Sequence, residues 1–277
     1  MAAFAPAAGG RAGEGARATP GESRGVAWVE TESPSFCARH ADGDADDAVG
    51  VLELLEGTRG ELAAVLATTP PAPIEVVIHP SRAQLYAAQP HLLAVARLTA
   101  PAARRYLTGW AGAGTLHLLA PRLLKARASN VPGSREMALL APAALYAQLA
   151  LGHVNPRLPP PLRPRSAGGL GRWAWLAAGA AQWLGGQTAY ARPAIARRLR
   201  EEPEPAFPPG VRDAVLLGGT VIDLLAREEG ESAAITFSST AGSGSPTAAL
   251  VRAFHGRPLV HTEGTWRAHL ARLAGQA

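Results

Sequence analysis

The stretch WAWLAAGAAQWL, from Trp173 to Leu184, carries no charged side chain, and Trp173, Leu176, Ala180, Trp183 and Leu184 recur along it at three- and four-residue intervals. That spacing places one strongly apolar stripe on a helix. The stretch is too short to cross a bilayer, which takes about 20 apolar residues. Its stripe must therefore be covered by other parts of the same chain. A length of 277 residues, 47% of them hydrophobic, supplies material for such a core.

Strand patterns come first in the chain. GVAWVETESPSFCARH (Gly25–His40) alternates apolar and polar residues and reads as one or two strands. Ile74–His79, fenced by prolines, reads as a short buried strand, and Thr115–Pro121 as another. Between the first two, ADGDADDAVGVLELLEGTRGELAAVLAT opens with acids that suit a helix N-terminus, and Val51, Leu52, Leu55, Leu62 and Leu66 share one helical face. Gly50, Gly57 and Gly60 lower its helix propensity without breaking the pattern. The glycines of GWAGAGT (Gly109–Thr115) read as a turn before a strand.

Helical patterns dominate the second half of the chain. SREMALLAPAALYAQLALG has Ser134 as an N-cap and Gly152 as a stop, with Pro142 either kinking the helix or starting it. In RDAVLLGGTVIDLLAREEG, Gly218 and Gly219 point to a close helix contact; AGSGSP (Ala241–Pro246) reads as a loop, and GTWRAHLARL closes the chain as a helix. Strands early and helices late give an α+β fold: a small N-terminal mixed β-sheet with helices, then a mainly helical half. The expected organisation is a disordered tail over 1–25, an α/β subdomain over 26–135 and a mainly helical subdomain over 136–277, the last two forming one unit.

Charge is unevenly spread. Between Arg97 and Arg200 there are fifteen Arg or Lys residues and a single carboxylate, Glu136. Such a region can draw an anionic small molecule, an acidic protein surface or nucleic acid, with Arg163, Arg165 and Arg172 as candidate anion-binding residues; a solvated arginine-rich face is the plainer reading. Of the 27 basic residues 26 are arginine, a bias that GC-rich codon usage produces. An aromatic content of 5% and the lack of any RNA- or DNA-binding motif disfavour nucleic acid. Cys37 stands alone, so neither a disulfide framework nor a thiolate metal site is expected. The first residues hold no continuous apolar run of the kind a secretory signal needs, and a soluble cytoplasmic protein without a membrane partner is the expectation.

The order of the pieces resembles the peptidase MA-like (gluzincin) metallopeptidases. SPSFCARHADGDADDAVGVLELLEG, PIEVVIHPSRAQLY and GWAGAGTLHLLAPRLL are similar to the first half of that fold, WAWLAAGAAQWLGG to its second metal helix, and AFHGRPLVHTEGTWRAHLARL to its terminal segment. The resemblance implies a zincin-like fold in which one helix carries HExxH and a later W-x-x-E-G-x-A helix supplies a third ligand. A catalytic zinc needs three protein ligands and an open position for water, and hydrolysis needs a carboxylate to take that water's proton. No HExxH occurs in this chain. Setting LLAPAALYAQL against the family's helix puts Pro142 and Tyr146 where the histidines would stand and Ala143 in place of the base. The third ligand falls on Ala178, one turn after Trp175. Pro142, Ala143, Tyr146, Trp175 and Ala178 are thus the expected lining of a remnant cleft, with no metal and no other cofactor. The resemblance then implies an inactive relative kept for binding or scaffolding.

Other chemistry finds little footing. His79 and His117 lie at or within strands and read as hydrogen-bonded structural groups; His153, at a helix end, suits the dipole there. His255 and His261 have Glu263 as their only nearby acid. GSGS at Gly242–Ser245 lacks the strand–elbow–helix setting of a serine nucleophile, and neither a P-loop nor a G-x-G-x-x-G fingerprint is present. A different enzymatic mechanism in the old cleft would require a polar cluster converging there.

Overall fold

The structure, a computed structural model, describes residues 27–112, 114–158 and 167–275. The tail expected over 1–25 lies outside the described residues. Five strands, β1 (Trp28–Glu32), β2 (Phe36–Ala41), β3 (Ile74–His79), β4 (Gly109–Ala111) and β5 (Thr115–Leu119), form one sheet in the order β1-β2-β3-β5-β4. The three inner strands run parallel and both edge strands run antiparallel to their neighbours. Strand β3 is central, and Ile74, Val76, Val77 and Ile78 are all buried, which is why its sequence is mostly apolar, with Glu75 the one exposed position.

Helix α1 (Ala45–Val65) joins β2 to β3, and α2 (Arg82–Ala88), α3 (His91–Leu98) and α4 (Pro101–Arg104) lead from β3 to β4. After β5 come α5 (Pro121–Arg127), α6 (Ser134–Leu139), α7 (Ala141–Val154) and α8 (Ala167–Leu184). Next in the chain are α9 (Arg192–Arg198), α10 (Ala214–Glu229), α11 (Glu231–Thr240), α12 (Pro246–Ala253) and α13 (Leu259–Ala274). The chain is α+β, with its mixed sheet at the N-terminal side. One apolar core takes in Phe36 and Ile78 from the sheet, Tyr146 and Leu176 from α7 and α8, and Trp266 from α13, so no break in packing falls at residue 135. None of the helices among the described residues is long and apolar enough to cross a membrane.

Three local expectations change. Gly109–Ala111 is not a turn but the edge strand β4; a Cβ on Gly109 would strike the His117 carbonyl and Leu145, so the glycine serves close approach of strand to helix. The helix expected from Ser134 is two helices broken at Leu140, with Pro142 in the first turn of the second. Its cap is Gly133, at φ +90°, while the buried Ser134 hydroxyl accepts from the Ser129 N–H at 2.9 Å and bonds the Tyr106 hydroxyl at 3.1 Å. Gly152 does not stop α7, which runs on to Val154.

Helix α8 is held at backbone distance on two sides. A Cβ on Gly179 would overlap the Gly218 backbone of α10, and one on Gly218 would overlap the Trp175 carbonyl. Just past the end of α8, Gly185 meets the backbone of Ala143 and Ala144 in α7. Elsewhere the charge of the basic stretch is satisfied internally: Arg198 is fully buried, paired with Asp213 and donating to the carbonyls of Glu201 and Pro203 at 2.8 Å each. Four hydrogen bonds, two of them to the paired carboxylate, thus compensate the burial of the guanidinium.

These contacts separate the glycines into two kinds. Gly179→Ala is expected to lower stability by about 1–3 kcal/mol, because the added methyl must push two helices apart. Gly57→Ala and Gly60→Ala, where nothing lies within 4 Å of the new Cβ, are expected to raise it by up to about 1 kcal/mol each. Urea denaturation of the three variants checks the contrast.

Candidate functional site

A cavity of about 420 Å³ opens between the edge strand β4 and helices α7 and α8. The start of α10 and the end of α3 complete its rim. Helix α7 offers Ala141, Ala144, Leu145 and Gln148, positions i, i+3, i+4 and i+7, which fall on one face. Helix α8 offers Ala174, Ala177, Ala178 and Ala181 on the facing stripe. At the mouth Leu98 is 62% exposed and Val211 40%, so the rim is apolar as well as the walls. Among the described residues, not one that lines the cavity carries a charge or an imidazole.

Three glutamines stand in this lining. Gln182 donates its amide to the Val215 carbonyl, and Gln187 donates to the Met137 carbonyl at 2.7 Å. Gln148 makes no side-chain hydrogen bond among the described residues and is half-buried on the cavity stripe of α7. The Tyr106 hydroxyl is engaged with Ser134, and the Thr99 hydroxyl donates to the Val95 carbonyl at 2.8 Å.

Of the residues the sequence singled out, the structure brings only Ala178 to this cavity. Tyr146 is fully buried on another face of α7, its ring edge-on to Phe36 at 5.4 Å and its hydroxyl accepting from Arg59 at 3.3 Å. Burial raises the pKa of that hydroxyl, against the opposing charge of Arg59. Pro142 and Ala143 are buried, the latter where Gly185 closes on α7. Trp175 lies within the core between Trp173 and Phe237, with ring centroids 6.3 and 6.2 Å away, and its indole N–H has no partner among the described residues. Two residues along a helix are about 200° of rotation, so Tyr146 looks away from the face that carries Ala144 and Gln148.

Of the candidate anion-binding arginines, Arg163 and Arg165 lie outside the described residues, and Arg172 is exposed beside Gly171 at the rim. A different trio, Arg105, Arg197 and Arg200, lines a second recess of about 290 Å³ together with Ser129. The one acid bonded there is Glu201, 3.4 Å from Arg197. Among the described residues no three His, Cys, Asp or Glu side chains gather closely enough to hold a metal ion. His255 pairs with Glu229 at 3.0 Å, away from the exposed His261.

The histidines of β3 and β5 do meet. His79 Nε2 lies 3.1 Å from His117 Nδ1, with the rings stacked at 5.4 Å and Trp28 set edge-on against His79. The parallel register places Val77 opposite His117, so the two imidazoles share a face two positions apart. Sequence could place each on a strand but not the strands side by side. Burial, and secondarily the neighbouring His117, lower the His79 pKa to about 4; burial also lowers that of His117. Comparison of the chain with protein-family models, with curated proteins and with solved structures found no match.

A histidine whose folded pKa lies below its unfolded value favours folding while it stays neutral. The His79 contribution is complete above about pH 6.5 and is lost as pH falls from there through about 4. Stability by urea denaturation is expected to fall by about 2 kcal/mol between pH 7.5 and 4.5, and the His79→Phe variant is expected to lose most of that slope.

Proposed function

We propose that this chain is a metal-free, non-catalytic binding protein built on a gluzincin-like frame, with its ligand seated where such a fold would hold zinc. The frame is supported by the antiparallel edge strand β4, the helix α7 behind it and the helix α8 across the cavity. Along the cavity face of α7, the H-E-x-x-H spacing falls on Ala144, Leu145 and Gln148, two residues beyond Pro142, Ala143 and Tyr146. Ala178 faces them from α8.

The observation that carries the reading is that these four positions share one cavity and offer it two methyl groups, an isobutyl group and a neutral amide. Zinc requires imidazole, thiolate or carboxylate ligands, and water attack requires a base. An alternative mechanism in the same space would require a converging polar cluster. Among the described residues the lining supplies no acid and no imidazole for one; its Tyr106 and Thr99 hydroxyls are bonded elsewhere, and Thr108 offers a lone hydroxyl with no base in the lining to activate it. Uncharged residues at all four positions suit a helix pair that encloses a ligand and no ion, since a buried charge without a partner is costly.

Two measurements test this. The purified chain is expected to carry no stoichiometric zinc and to cleave a general peptide substrate no faster than background; a tightly held zinc with peptide cleavage sinks the reading. In the positive direction, the combined variant Ala144→His, Leu145→Glu, Gln148→His, Ala178→Glu is expected to bind zinc. The variant with the same changes placed at Pro142, Ala143, Tyr146 and Ala178 is expected not to. Zinc binding by the second variant in preference to the first overturns the register.

A second reading rests on the recess formed by Arg105, Arg197 and Arg200, which fits an anion better than the cavity does. Binding of inorganic phosphate there is expected to weaken as salt is raised and to fall at least threefold in Arg105→Gln. Phosphate binding insensitive to both removes this reading.

A further inference from the structure

We infer that the ligand of the α7–α8 cavity is a neutral amphiphile: an aliphatic chain ending in a single hydrogen-bonding group such as a primary amide or an alcohol. This inference rests on the binding role proposed above and names its chemistry. Four features of the cavity select that class.

Its size is that of a small-molecule site. A space of about 420 Å³ is far larger than one water requires and lies within the range of cofactor and ligand pockets. It exists because alanines stand where larger apolar residues would close it: Ala141 and Ala144 on α7, Ala174, Ala177, Ala178 and Ala181 on α8. Left to water, such walls keep apolar surface hydrated; an aliphatic occupant releases that water.

Its electrostatics exclude an ion. A carboxylate or ammonium entering the cavity would lose hydration and meet no opposite charge among the lining residues. Of the described arginines in the basic stretch, Arg198 is paired inside the core, Arg105, Arg197 and Arg200 face a separate recess, and Arg172 stands exposed outside the lining beside Gly171.

Its one free amide sets the head. Gln182 and Gln187 are tied to backbone carbonyls, whereas the Gln148 amide, on an otherwise apolar stripe, is without a side-chain partner among the described residues. A primary amide on the ligand matches it with one donor and one acceptor, and a hydroxyl matches either alone. Finally, the entrance is apolar: Leu98 and Val211 stand exposed at the rim, surface that an aliphatic tail covers as it extends outward.

The test compares four probes of equal chain length, decanamide, decan-1-ol, decanoate and decylammonium, by calorimetric titration at neutral pH and by displacement of Nile red. The amide and the alcohol are expected to bind at least tenfold tighter than either ion. Gln148→Leu is expected to weaken decanamide about fivefold while Nile red still binds. A filled cavity, Ala144→Leu with Ala178→Leu, is expected to lose at least tenfold for all neutral probes, with circular dichroism and the melting transition confirming that the variant folds. If it does not fold, Ala178→Leu alone serves, with a smaller loss. Equal or tighter binding of decanoate, no binding of any probe, or undiminished binding by the filled variant overturns the inference. Zinc on the wild-type chain would instead overturn the metal-free reading, and the two failures are separately readable.

Discussion

Helix α8 touches its neighbours through backbone, and the arrangement of the helical half depends on that. Gly179 against Gly218 sets how near α10 can lie, and Gly185 against Ala143 and Ala144 sets how near α7 can lie. Side chains cannot adjust these distances because there are none at the crossings. Dispersion contact between main chains is gained at both points, and the three helix axes are fixed relative to one another. The cavity is a by-product of the same economy. Where small residues abut they close a crossing, and where Ala144 faces Ala177 and Ala178 across a gap they leave space.

Charge along the chain gives a poor picture of charge in space. The stretch from Arg97 to Arg200 looks like one basic region in sequence. In the fold, Arg122 pairs with Asp44 at 2.6 Å, Arg198 pairs with Asp213 in the core, and Arg127 donates to the carbonyls of Arg104 and Arg105. The acids that answer Arg122 and Lys125 are Asp44 and Asp47, from the acidic start of α1. Acidic and basic residues far apart in sequence thus pair with each other, while Arg105, Arg197 and Arg200 share a recess.

What the sequence disclosed and what it concealed divide along physical lines. Strand β3 was legible because both faces are buried and prolines bracket it; α1 was legible from its acids and its apolar face despite Gly57 and Gly60, whose added Cβ atoms would meet only open space. The close contact at Gly218 was legible from the glycine pair. The orientation of α7 was not. Ala141 to Ala150 is apolar on nearly every side because α1 and the sheet cover one face and α8 another, so periodicity marks no single cavity stripe. Which residues of α7 face the cavity is therefore not encoded by any local pattern. Trp175 misled for a related reason: α8 is enclosed on several sides, and its aromatic residues fill the core toward Phe237, leaving alanines for the cavity. The trio of arginines and the His79–His117 contact depend on long-range pairing, which no local pattern encodes.

The two rims of the cavity differ in stiffness. Val211 lies two residues before Asp213, whose carboxylate is locked to the enclosed guanidinium of Arg198, which also grips the carbonyls of Glu201 and Pro203. That lip is riveted to the core. Leu98 ends an eight-residue helix, α3, in which Leu92 is the only buried residue. The cavity resembles a vice with one fixed jaw and one more loosely held jaw, the latter at α3.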